Sequence, residues 1–178
     1  GLDINSTSTG SGDISFLNNI GSDSQPGIIG ITKIGGTATD NIKFSGTLYS
    51  FNGATTITTE TGQEIDILTQ LPTSFVTSED SIKFDSKVDL DNGSNFSVDT
   101  GSGVGDVTIT GAITGDSAET VTLDAGAGTT TVGAIGSASQ IGTVIIGSAQ
   151  DGNIVIKGSV DIDGSFTADG PIEISTND

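Results

Sequence analysis

The sequence contains no Cys, His, Met, Trp or Arg, and it has a single Tyr. Without Cys it forms no disulfides, and without Cys and His it has neither thiolate nor imidazole ligands for zinc or copper. A catalytic triad that depends on His is excluded for the same reason. The remaining metal ligands are hard oxygen atoms, which are the ligands that calcium prefers.

Positive charge is also scarce. Five Lys stand against 23 Asp and Glu, and the formal net charge is -18. Nucleic acids and anionic membrane surfaces repel such a chain, so we expect no nucleic-acid partner. No apolar run approaches the roughly 18 to 20 residues of a membrane span, so we expect no membrane insertion. The chain starts at Gly1 without a recognisable signal peptide, which is typical of a processed product or an excised piece.

Hydrophobic residues make up only 33% of the 178 residues, and 27 residues are Gly. This mixture favours thin apolar layers and many turns. Apolar and polar residues alternate along most of the chain, as in KVDLD, where Val88 and Leu90 face one way. No amphipathic helix of useful length is present. The sequence therefore predicts one all-β domain over residues 1–178.

Three related phrases indicate an internal repeat: NIKFSGTLYSFNG from Asn41, SIKFDSKVDLDNG from Ser81 and NIVIKGSVDIDG from Asn153. Recurring strand-turn-strand phrases are typical of a solenoid, in which each copy buries its apolar edge against its neighbours. A parallel β-solenoid (β-helix) coil of three short strands needs roughly 20 to 25 residues. The first spacing between copies then corresponds to about two coils and the second to about three. The whole chain should form about seven to nine coils.

An antiparallel β-sandwich is the alternative fold. Asn-Gly and Asp-Gly between alternating segments are strong hairpin signals. In that fold Asn52-Gly53, Asn92-Gly93 and Asp163-Gly164 would be two-residue hairpin turns. We favour the solenoid because whole phrases recur.

One segment interrupts the repeat, LTQLPTSFVTSED at residues 68–80. Pro72 disfavours regular structure there, so we predict a non-repeat loop or short helical turn that protrudes or covers an edge. Its apolar residues Leu71, Pro72 and Phe75 are the candidate contacts for a binding partner.

Two pairs of aspartates are candidate calcium ligands. Asp89 and Asp91 align with Asp161 and Asp163, and each pair lies at i, i+2 on an outward strand face. Carboxylates about 6.5 to 7 Å apart, together with a turn carbonyl, could hold Ca²⁺. The simpler interpretation, which we favour, is a solvated acidic face. The same carboxylates could act as a glycosidase pair. Because the sequence has neither Arg nor His, we assign no catalytic residue. This calcium ion is the single cofactor that we consider.

Several phrases resemble the repeats of very large bacterial surface proteins related to filamentous haemagglutinin. They are GDISFLNNIGSDSQPGIIGIT, GDVTITGAITGDSAETVTLDAGAG, TTTVGAIGSASQIGTVIIG and NIVIKGSVDIDG. The resemblance implies a right-handed parallel β-helix that serves as a secreted stalk, adhesin or cell-contact segment. Phage tail fibres use similar phrases.

Together these observations predict a non-enzymatic structural or adhesive module of a secreted or cell-surface protein. Its partners would be other copies of itself, or the surface or glycans of a partner cell. The alternatives are a carbohydrate-binding or carbohydrate-cleaving β-helix domain and a segment of a phage tail fibre.

Overall fold

The computed structural model describes residues 2–4, 12–21, 30–91, 93–116, 118–137, 139–147 and 152–175. Within these ranges all regular structure is β-strand. The strands are β1 (Leu2–Ile4), β2 (Ile14–Phe16), β3 (Ile31–Gly35), β4 (Ile42–Phe44), β5 (Leu48–Ser50), β6 (Thr55–Thr58), β7 (Glu64–Ile67), β8 (Thr73–Val76), β9 (Ile82–Phe84), β10 (Lys87–Leu90), β11 (Phe96–Asp99), β12 (Val107–Ile109), β13 (Ile113–Thr114), β14 (Thr120–Asp124), β15 (Thr130–Val132), β16 (Ile141–Ile146), β17 (Ile154–Ile156), β18 (Ile162–Ala168) and β19 (Ile172–Ile174).

The strands form three parallel sheets that the chain visits in turn. Sheet A has eight strands in the order β1-β3-β6-β9-β12-β15-β17-β19. Sheet B has the order β13-β10-β7-β4-β2, and sheet C has the order β18-β16-β14-β11-β8-β5. Each sheet therefore gains its next strand one winding later, which makes the chain a parallel β-solenoid of about six turns. The solenoid prediction is confirmed, and the antiparallel sandwich is wrong.

The turns are about as long as the sequence predicted. Residues paired between neighbouring strands of sheet A are 23 to 27 residues apart from β3 to β17, and 18 apart between β17 and β19. The described residues form about six turns, somewhat fewer than the seven to nine that we predicted.

The repeated phrases do not occupy one position around the solenoid. The phrase from Asn41 starts in sheet B with β4, whereas the phrases from Ser81 and Asn153 start in sheet A with β9 and β17. The spacing of 72 residues is three turns, as predicted, but the first spacing is less than two turns. The phrase encodes two strands and the corner between them, and it fits both the step from sheet A to sheet B and the step from sheet B to sheet C.

The glycines of the supposed hairpin turns lie elsewhere. Gly53 connects sheet C to sheet A with φ of 121°, and Gly93 connects sheet B to sheet C with φ of 75°. Gly164 lies within β18. A positive φ at Gly serves a solenoid corner as well as a hairpin, so the Asn-Gly signal alone does not distinguish the two folds.

The interior of the solenoid differs between the two halves of the chain. Inward side chains of the first turns include an aromatic cluster in which neighbouring ring centroids lie 4.7 to 6.2 Å apart. Its members are Phe16, Phe44, Tyr49, Phe75, Phe84 and Phe96. From Val107 to Ile156 the buried hydrophobic residues are aliphatic. The interior is therefore aromatic in the first turns and aliphatic in the later ones.

Tyr49 is buried completely within this cluster, and its hydroxyl is satisfied by the backbone. The oxygen accepts a hydrogen bond from the Gly46 N–H at 2.7 Å and donates to the Phe16 carbonyl at 3.3 Å. Burial raises the pKa of the Tyr49 hydroxyl above its usual range. The ring thus ties the corner between sheets B and C to the first turn.

The segment at residues 68–80 is part of the solenoid. Its residues 73–76 form β8, which pairs with β5 and β11 in sheet C. Phe75 is 0% exposed, whereas Leu71 is 61% exposed on the preceding turn. The predicted loop is therefore restricted to the turns on either side of β8, because Pro72 lies just before the strand and leaves its ladder intact.

Replacing Phe75 by Ala should lower the free energy of unfolding by about 3 to 5 kcal/mol, because it leaves a cavity among four aromatic rings. Leu71→Ala removes a side chain of similar size from the same segment and should change stability by less than about 0.5 kcal/mol. Urea denaturation followed by circular dichroism measures both. Equal effects of the two substitutions would contradict the burial of Phe75.

Candidate functional site

A concentration of charged side chains lies on the outward face of sheet B. We call it the acidic face, and its residues are Lys43, Glu64, Asp66, Lys87, Asp89 and Asp91. Alternation brings them to one surface, because Ile65, Ile67, Val88 and Leu90 point inward between them. The parallel register then sets residues of successive turns side by side.

Two acids are stacked directly in this register. Asp66 on β7 pairs with Asp89 on β10, and on its other side it pairs with Lys43 on β4. Adjacent strands lie about 4.8 Å apart, so the two carboxylates repel each other across one turn. The column thus places Asp66 between one like and one opposite charge.

The two lysines neutralise part of the acidic face. Lys87 Nζ lies 2.7 Å from Glu64 Oε2 and 3.0 Å from Asp89 Oδ1. Lys43 forms its ion pair with Asp13 on the preceding turn. Hydrogen bonding to Asp13 and the nearby carboxylates raises the pKa of Lys43, although burial opposes this.

Asp66 has the most perturbed environment of the acidic face. It is only 7% exposed, and its Oδ2 accepts a hydrogen bond of 3.4 Å from Asn41 Nδ2. Burial, Glu64 and Asp91 raise the pKa of Asp66 to about 6, and Lys43 only partly offsets this. Burial and the neighbouring acids likewise raise the pKa of Asp91. Asp66 therefore keeps its proton to a higher pH than an ordinary aspartate does.

The structure separates the two predicted calcium pairs. Val160 bridges to Ile135, and Ile135 bridges to Ile113, which puts Asp161 in the same column as Asp89 but three turns further along. Three turns correspond to about 14 Å. Both Asp161 and Asp163 are exposed. Asp89 and Asp161, which align in the sequence, therefore occupy equivalent positions on different turns. The four carboxylates of the two pairs do not converge on one ion.

No group of three Asp or Glu side chains suited to a metal ion occurs among the residues that the structure describes. Asp89 Oδ1 instead accepts a hydrogen bond from the Thr114 hydroxyl, and Asp161 Oδ1 accepts one of 2.9 Å from Gln140 Nε2. Calcium binding at either pair stays a prediction of the sequence, and each pair would have to bind its own ion.

The predicted partner contacts are split by the fold. Leu71 and Pro72 are exposed on the turn before β8, whereas Phe75 points into the aromatic cluster and cannot contact a partner. The prediction failed for Phe75 because β8 pairs with the strands of the adjacent turns, and this pairing places the Phe75 side chain in the interior. Leu71 and Pro72 stay candidate contacts.

A second buried carboxyl was missed at the sequence level. Glu119 is 0% exposed, and its oxygens accept hydrogen bonds from the N–H groups of Asp116 at 2.8 Å and Ala118 at 3.2 Å. Burial and a hydrogen bond shared with the Asp116 carboxyl raise the pKa of Glu119. The side chain closes the turn between β13 and β14, a structural role that no periodicity indicated.

Comparisons with known proteins add no relative: no family model matches the chain, and no curated protein or solved structure is significantly similar to it. The described residues include no helix that could cross a membrane. The solenoid of about six turns and its acidic face are therefore the basis for any functional argument.

The raised pKa of Asp66 makes stability depend on pH. Because the folded-state pKa of about 6 lies above the usual value of 3.8, the contribution of Asp66 is full below pH 3.8 and is lost as pH rises through 6. By linkage the protein gains about 1.4 kcal/mol from this group between pH 8 and pH 5. Asp66→Asn should remove that gain and stabilise the protein at pH 8 by about 2 to 3 kcal/mol.

Urea denaturation of the wild type and Asp66→Asn across this pH range measures the difference. Asp163→Asn is the matched control, because Asp163 is an exposed strand aspartate of equal charge. It should follow the wild-type pH dependence. If both variants change the pH dependence equally, the effect belongs to net charge and not to the burial of Asp66.

Proposed function

We propose that this chain is a non-enzymatic structural module, a rigid spacer of a secreted or cell-surface protein, comparable to the stalks of the filamentous haemagglutinin class. The observation that carries the proposal is the unbroken stacking of inward side chains on all three sheets. In sheet B one column runs from Ile14 through Val88 to Val160. A chain that stacks in this way along its length supplies reach and stiffness.

The outward surfaces support the same function. The acidic face, within a chain of net charge -18, keeps neighbouring rods apart in solution. Charged and hydroxyl side chains along the sheets also discourage unwanted strand pairing. Recognition of a partner cell would then depend on exposed turns, such as the turn that carries Leu71 and Pro72.

The location of the aromatic residues weighs against a carbohydrate-binding function. Glycan platforms rely on exposed aromatic rings, yet Tyr49 and all seven Phe are buried in the core or packed against it. Cleavage is disfavoured as well, because neither Arg nor His is available beside the carboxylates of the acidic face.

A rigid spacer predicts a fixed distance between its ends. Ser15 and Asp161 are exposed and occupy one column of sheet B, six turns apart, which corresponds to about 29 Å between their Cα atoms. Because the chain has no native Cys, Ser15→Cys and Asp161→Cys can be spin-labelled selectively. Pulsed dipolar spectroscopy should give a single narrow distance distribution. A broad or much longer distribution would contradict the spacer function.

The carbohydrate alternative makes an opposite prediction. Incubation with a panel of neutral and acidic polysaccharides should release no reducing ends above a buffer control. The variant carrying both Asp89→Asn and Asp91→Asn should be indistinguishable from the wild type. Release that disappears in this variant would replace the structural function with glycan cleavage.

A further inference from the structure

Two Asn-Gly pairs occur in the sequence, and the structure describes both residues of one of them, Asn52-Gly53. The pair lies at the corner between β5 in sheet C and β6 in sheet A, and Asn52 is exposed. Gly53 has a φ of 121°, and a Cβ atom at this position would meet no heavy atom within 4 Å apart from its chain neighbours. The corner therefore leaves open space around the peptide bond that joins the two residues.

Asparagine side chains at two other corners are held by the backbone of the adjacent turn. Asn41 Oδ1 accepts a hydrogen bond of 3.1 Å from the Glu64 N–H. Asn95 Oδ1 accepts one of 2.8 Å from the Thr120 N–H. The side chain of Asn52 makes no hydrogen bond to any residue that the structure describes. It can therefore turn toward its own main chain.

The residue that follows Asn52 favours a reaction between the two. The backbone nitrogen after an asparagine can attack the amide carbon of that asparagine, and the side chain of the following residue is the main obstacle. Gly53 has no side chain, and its N–H makes no hydrogen bond within the described ranges. At the other two corners a bulky residue follows the asparagine, Ile42 in one case and Phe96 in the other. The attack is hindered there and open here.

We propose that Asn52 is a site of spontaneous deamidation, at which the exposed corner between sheets C and A acquires a carboxylate. The Gly53 nitrogen forms a bond to Asn52 Cγ, the bond from Cγ to the amide nitrogen breaks, and the Gly53 proton leaves with the amide nitrogen as ammonia. Water then opens the resulting succinimide ring. Attack of water on Cγ gives aspartate, whereas attack on the main-chain carbonyl carbon gives isoaspartate, in which the main chain runs through the side chain.

The fold accommodates either product because the corner is anchored on both sides. The Phe51 N–H donates a hydrogen bond of 2.9 Å to the Val76 carbonyl, and the Thr55 N–H donates one of 2.9 Å to the Ser81 carbonyl. Isoaspartate lengthens the main chain by a methylene group. Residues 52–54 absorb this extra length in the open space at the corner, and the strands on either side keep their register.

Deamidation makes the charge of the molecule depend on its age. Each conversion adds a negative charge to a chain whose formal net charge is already -18. Repulsion between neighbouring molecules therefore increases as the protein ages. The inference goes beyond the proposed structural function and does not depend on it, since it needs only the folded corner.

Trypsin separates the reactive site from a matched control. Cleavage after Lys43 and Lys83 gives a peptide whose only asparagine is Asn52. Cleavage after Lys33 and Lys43 gives a peptide whose only asparagine is Asn41. The folded protein is aged in a mildly alkaline buffer, then unfolded and digested, and mass spectrometry measures the amide-to-acid mass increase of each peptide. Electron-transfer fragmentation distinguishes aspartate from isoaspartate.

The Asn52 peptide should convert at least about tenfold faster than the Asn41 peptide, because Asn41 has to break its hydrogen bonds before it can react. Part of the product should be isoaspartate. Asn52→Gln should show no conversion over the same period, because the larger ring that glutamine forms closes much more slowly. Gly53→Ala should slow conversion several-fold. Circular dichroism checks that both variants are folded and should stay unchanged while the wild type converts.

Four results would overturn the proposal. An Asn52 peptide that keeps its amide throughout is the first, and equal conversion of the Asn41 and Asn52 peptides is the second. The third is a folded Gly53→Ala variant that converts as fast as the wild type. A circular dichroism signal that is lost in step with conversion is the fourth, because it contradicts an anchored corner that absorbs the product.

Discussion

Stacking in register along the solenoid axis is the constraint on which the remaining structure depends. In the middle turns each inward side chain is covered by the side chains directly above and below it, so a residue there is buried only if the adjacent turns offer an apolar residue at the same place. The strands keep this register, and the corners accept the variation in length. Buried hydroxyl groups at the corners satisfy the freed carbonyls, as the Thr100 hydroxyl does for Gly105 at 2.7 Å.

Glycine is required where a corner of one turn meets the backbone of the next. Gly136 has a φ of 69°, and a Cβ atom there would collide with the Asp161 carbonyl. Any side chain at this position would therefore push two turns apart. The abundance of Gly in the sequence follows from this need for close approach between corners, as well as from the need for turns.

The same register that fills the interior also determines the electrostatics of the surface. In a parallel ladder equivalent positions of successive turns are neighbours, so acids repeated at one position repel one another. Asp66 shows the result, since it lies beside Asp89 and is nearly covered. Lys87 reduces the repulsion by bridging Glu64 and Asp89, but the ion pairs found within the described part of the chain do not include Asp66.

The sequence was sufficient for the fold class because period-two alternation and recurring strand-turn-strand phrases are local signals. It did not determine on which sheet each phrase begins, since the copy at Asn41 and the copy at Ser81 follow the same local rules on different sheets. Phe75 was misplaced for a related reason: Pro72 disturbed the local pattern, whereas pairing with distant strands decides the structure. The pKa of Asp66 depends on residues of three different turns, which no spacing within one segment reveals.

The change from an aromatic to an aliphatic interior gives the rod a weak end and a strong end. Large rings bridge all three sheets in the first turns, whereas the later turns rely on smaller contacts between adjacent strands. Because each winding is stabilised mainly by its neighbours, tension should unravel the coil from its carboxyl terminus and leave the ring-filled portion as the last to yield. A tether made from such units would lengthen in steps under load before it broke.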